Sequence, residues 1–186
     1  MHRTHRSTCA LRTRHAFTLI ETALAIVIVG TGVVSIVSAQ QAFFKKNEWS
    51  THASIAERLG NEFREMTWRL PAHDPVTGTT FWGPEPDENS VEDYDDLDDF
   101  DGEGGTGTIW SAPLGNGPLA AARAVITNME GWSQEVTVQC VDPFDIVTTV
   151  DDNGSDMIRV LVTVRFQAID ETTPREMTRV SWLAPK

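Results

Sequence analysis

The chain has 186 residues, 40% of them hydrophobic, enough for one modest globular domain plus an additional element. Fifteen basic residues against 27 acidic ones give a net charge of −12, which argues against a nucleic-acid binder, because such proteins neutralise phosphates with basic side chains. Four of the basic residues are arginines of residues 1–16, which hold no acid, so the rest of the chain stands at −16; such a surface suits a soluble head, a divalent cation or a basic partner.

Residues 1–16 read as a basic leader. Residues 17–44 carry one charged side chain, Glu21, within a run rich in Ala, Val and Ile. About 20 apolar residues span a bilayer as a helix. The preceding arginines place residues 1–16 on the cytoplasmic side and the C-terminal part outside, by the positive-inside bias. A carboxylate near the start of such a span is costly unless it stays wet or finds a cation, and for Glu21 alone both readings stand.

The stretch Ala16-Phe17-Thr18-Leu19-Ile20-Glu21, between a basic leader and a long apolar run, resembles the prepilin peptidase site of type IV pilins and type II secretion pseudopilins. The resemblance covers about the first 45 residues. It implies a cut between Ala16 and Phe17, N-methylation of Phe17, and a role for Glu21 in assembly. The new amine of Phe17 is a natural partner for a carboxylate in a low-dielectric bundle, and in the family that pairing runs between neighbouring subunits. Ala16 stands where the family usually has Gly, and His15 where it has Lys or Arg. The implied partners are the prepilin peptidase, other pilin or pseudopilin subunits, the inner-membrane assembly platform and membrane lipid, with no nucleic acid. The implied location is the inner membrane, single-pass with a periplasmic head, and then a pilus or pseudopilus fibre. A rival reading is an ordinary signal peptide cut after Val37-Ser38-Ala39, releasing a soluble acidic protein from Gln40.

Beyond the span, Ile55, Leu59, Phe63, Met66 and Leu70 recur at helical spacing, with Glu57, Arg58, Glu62, Arg64, Glu65 and Arg69 between them. The pattern predicts one helix from Phe17 to about Leu70, with an assembly half over 17–39 and an amphipathic half over 40–70. Pro71 and Pro75 end it. Gly30 and Gly32 are either weak points in the membrane half or sites of close helix packing.

Residues 71–118 read as an irregular region rich in Pro and Gly. Within it, residues 85–103 hold eleven acids and no base. A solvated acidic loop is the leading expectation. Calcium prefers carboxylate ligands, so Asp95, Asp96, Asp98, Asp99 and Asp101 are candidate ligands. The EF-hand template fails: aligned on Gly102, its first ligand position is Leu97 and its twelfth Thr108. Tyr94-Asp95-Asp96-Leu97-Asp98-Asp99-Phe100 is similar to an acidic-aromatic motif of D-type minor pilins in the mannose-sensitive haemagglutinin pilus family, which implies a minor subunit; Tyr94, Leu97 and Phe100 are placed to pin the loop by packing. The run from Gly102 to Gly107 formally matches G-x-G-x-x-G, but no strand precedes it and acids flank it, so it reads as a turn.

Residues 119–186 read as an antiparallel sheet. Residues 158–167 and 133–141 alternate most clearly, 176–183 give a third strand and 123–129 a weaker fourth. Asp151-Asp152-Asn153-Gly154 offers a turn between the first two. A sheet packed on the helical stripe would bury both apolar faces, an α+β architecture. Cys140 lies in a strand and reads as a small buried hydrophobe. H-E-x-x-H, C-x-x-C and G-x-S-x-G are absent, so the expectation is a structural subunit rather than an enzyme: a minor pilin, or alternatively a minor type II secretion pseudopilin.

Overall fold

The computed structural model describes residues 18–78, 81–102 and 104–185. The chain divides into two compact units, one ending at Asn47 and one beginning at Glu48. A single helix, α1 (Leu19–Thr67), contributes to both. Thr18 caps it: its hydroxyl accepts the backbone N–H of Glu21 at 3.3 Å, the S/T-x-x-E arrangement that starts many helices. The predicted end near Leu70 falls three residues beyond the observed one, where the approach to Pro71 stops the helix.

In the second unit, five antiparallel strands follow α1: β1 (Thr108–Ser111), β2 (Trp132–Asp142), β3 (Asp145–Thr149), β4 (Met157–Phe166) and β5 (Arg175–Pro185). The path is β1-β2-β4-β5, and β3 pairs with the end of β2. Together they make an α+β fold, with the long apolar N-terminal helix and small antiparallel sheet of a pilin-like architecture. The alternation in sequence becomes a two-faced sheet. Trp132, Val136, Val138 and Cys140 of β2 face the core beside Ile158, Val160, Val162 and Val164 of β4, while Arg165 pairs with Glu135 on the other face at 2.9 Å.

The last part of α1 covers the inner face with Ala56, Leu59, Phe63 and Met66. Gly60 sets how closely it approaches: a Cβ there would lie 2.6 Å from Val180 Cγ2. The buried Gln134 clamps three segments, since its Oε1 accepts from Leu119 N at 2.7 Å and its Nε2 donates to the Leu59 and Leu119 carbonyls at 2.9 and 3.1 Å.

The strand expected over 123–129 does not form. Arg123 and Asn128 have φ of 63° and 59°, which no strand accommodates, and one bridge, Leu119 to Val125, is all that pairs there. β1 and β3, unmarked in the sequence reading, are short. The region 71–118 is also less irregular than expected. It contains β1 and two short 3-10 helices, Asp98–Asp101 and Ala112–Leu114, and it places Ala72, Leu97, Phe100 and Trp110 in the core.

Candidate functional site: an exposed apolar helix and a buried acidic cluster

Of the residues singled out for processing, Ala16 and Phe17 lie outside the described residues. Glu21 is exposed in the first turn of α1, where a carboxylate complements the helix dipole. Every residue from Thr18 to Thr51 is exposed, and this half of α1 is long and apolar enough to cross a membrane. Ala39 and Gln40 lie inside the helix.

The acidic segment is the solvated loop expected only in part: Asp87, Glu92, Asp93 and Asp95 are exposed. Asp96, Asp98, Asp99 and Asp101 are all buried. The 3-10 turn explains this locally: residues three apart eclipse one another, so Leu97 and Phe100 seat together in the core and draw the intervening acids inward. Phe100 meets Phe63 of α1 at 5.2 Å and Tyr94 at 5.2 Å, both edge-to-face. Packing by Tyr94, Leu97 and Phe100 therefore holds the loop. Gly102 ends the turn at φ 72°, with Thr108 Oγ1 2.5 Å from where a Cβ would be.

Each buried acid has its own surroundings. His73 Nδ1 lies 3.0 Å from Asp98 Oδ2. Asp101 Oδ2 accepts from Trp82 Nε1 at 3.1 Å and Oδ1 from Val138 N at 2.8 Å, which ties the segment to β2. Asp99 Oδ2 accepts the backbone N–H groups of Asp95 and Asp96, and Asp96 Oδ1 accepts that of Asp99. Burial, reinforced by the Asp98 carboxyl, pushes Asp96 up to about 9. Burial pushes Asp98 up to about 6, held back by the hydrogen bond from Asp96. Glu88 and Asp99 are both raised, first by burial, and they face each other. Burial also raises Asp101 and Asp95.

Two trios bring carboxylate oxygens within 4.8 Å of one another: Glu85, Glu88 and Asp99, and Asp95, Asp96 and Asp99. Of the five ligand candidates read from sequence, Asp98 and Asp101 are thus engaged by His73 and by Trp82 with β2, whereas Asp95, Asp96 and Asp99 gather. Glu85 and Glu88 belong to the cluster and were not singled out; the E-x-x-E spacing was their only mark in the sequence. The run from Gly102 to Gly107 leads into β1 and opens no helix. Cys140 is a buried free thiol, as expected. Comparison with family models, curated proteins and solved structures gives no match.

Proposed function

We propose that this chain is a prepilin-type structural subunit, trimmed before Phe17 and assembled through its N-terminal helix into a fibre of the type IV pilus or type II secretion class. The observation that carries the reading is the first half of α1. Its apolar side chains, Leu24, Ile28 and Val34 among them, are exposed, and a helix apolar all round needs lipid or other helices around it. The leader charge, the Phe-Thr-Leu-Ile-Glu stretch and the α+β head support the same reading. In it, the span first rests in the inner membrane with the head in the periplasm, and later packs against neighbouring subunits. Glu21 then meets the Phe17 amine of an adjacent copy, a pairing strengthened by low dielectric.

Glu21→Gln tests this, because it keeps the side-chain length and removes the charge. Membrane insertion should persist while incorporation into sheared fibres falls at least tenfold. Undiminished incorporation would remove Glu21 from assembly.

A further inference from the structure

Charge is absent from α1 over residues 22–44, a run of 23 residues between Glu21 and Lys45. At about 1.5 Å per residue that run is roughly 35 Å long, close to the roughly 30 Å of a bilayer's hydrocarbon. Lys45 and Lys46 are also the first Lys or Arg after the leader. Phe43 and Phe44 stand directly before them, 65% and 67% exposed, with their rings edge-to-face at 6.3 Å. Both lysines are exposed as well, and among the described residues, Glu48 included, neither has an ion-pair partner. An α-helix turns once in about 3.6 residues, so residues 43–46 ring its whole circumference with two aromatic rings and two cations.

We infer that Phe43, Phe44, Lys45 and Lys46 form a collar that binds the headgroups of anionic phospholipid at the outer boundary of the membrane. The collar rests on the membrane span of the reading above and is independent of fibre assembly. Lipid is the occupant that a ring selects: a protein partner covers one face of a helix, whereas lipid reaches every face. The charges agree. Lysine stems lie along acyl chains while their ammonium groups reach outward to phosphate oxygens. Two parallel copies of this helix at one depth would instead set Lys45 and Lys46 against their own kind, and like charges repel. The collar also fixes how deep the span sits. A shift by one turn, about 5.4 Å, would draw the ammonium groups into hydrocarbon or lift the phenylalanines into water. With Lys45 held at one boundary, Glu21 stays in the opposite headgroup layer.

The test reconstitutes the full-length chain in phosphatidylcholine vesicles containing a small share of phosphatidylglycerol with a photoreactive headgroup. After irradiation, peptide mass spectrometry locates the lipid adducts, which are expected at and beside Lys45 and Lys46. Lys45→Gln combined with Lys46→Gln should lower them about tenfold, because each lysine near an anionic surface adds to binding. Lys45→Arg combined with Lys46→Arg should keep them. Undiminished adducts in the glutamine variant, or equal labelling by a phosphatidylcholine probe, would overturn the collar. With an amine crosslinker in place of the probe, chain-to-chain links through Lys45 or Lys46, where lipid adducts are missing, would overturn it in favour of a second copy. Carbonate extraction of the same vesicles separates this failure from that of the span. A parent chain that stays in the pellet without adducts loses the collar alone, whereas one released by carbonate loses the span as well.

Discussion

The first half of α1 and the acidic segment break the usual partition of side chains in opposite directions. Ile20, Val29 and Phe44 are 77%, 63% and 67% exposed, whereas Asp96 and Asp99 are 1% and 0% exposed. Exposed large apolar patches and buried carboxylates are each informative because ordinary soluble domains avoid both. The difference between the two regions is in how each is accommodated. The acids are held by what surrounds them: His73 beside Asp98, Trp82 and β2 on Asp101, backbone N–H groups on Asp99. The apolar side chains of the first half of α1 are exposed instead, and in the proposal above lipid covers them first and then other copies of the same helix.

The largest effect that sharpens this contrast comes from comparing a buried with an exposed phenylalanine of α1. Phe63→Ala should destabilise the head by about 3–5 kcal/mol, because Phe63 is fully buried against Phe100 and Trp110. Phe44→Ala should leave head unfolding unchanged, within about 0.5 kcal/mol. Chemical denaturation of the detergent-solubilised chain reads both, and equal effects would break the distinction. Next comes Val29→Arg, which places a charge mid-span at about 2.5–3.5 kcal/mol on insertion scales. It should shift the protein into the carbonate-extractable fraction. Retention in the membrane pellet would mean that this half is not the anchor.

On the acidic side, Asp101→Ala should cost about 1–3 kcal/mol, since it strands the Trp82 and Val138 donors. The exposed Asp93 bonds only to its own turn, and Asp93→Ala should cost less in the same denaturation assay. The smallest effect belongs to the outer sheet face. Arg165→Ala breaks a partly exposed pair with Glu135 and should cost about 0–1 kcal/mol, a value that falls further in high salt.

Much of this was legible in the residues. The apolar span and the Leu59-Phe63-Met66 stripe are long local periodicities, and they set most of α1. β2, β4 and β5 are ten or eleven residues each, long enough for alternation to show. β1 and β3 have four and five residues, too few to distinguish a strand from an extended loop. Residues 123–129 alternate in composition, yet Arg123 is held in a turn by bonds from its guanidinium to the Val91 and Glu92 carbonyls, a tertiary constraint that leaves no local mark. The burial of Asp98 and Asp101 was hidden for the same reason. Their partners His73, Trp82 and Val138 are 19 to 37 residues away in sequence, and a run of acids advertises its charge without showing what surrounds it.

The mass of the mature N-terminal peptide, taken from cells with an active prepilin peptidase, tests the central claim most directly. A peptide that begins at N-methylated Phe17 is the predicted result. A peptide that begins at Gln40 would contradict it, because the exposed apolar half of α1 would then be a discarded signal sequence and Glu21 would have no place in assembly.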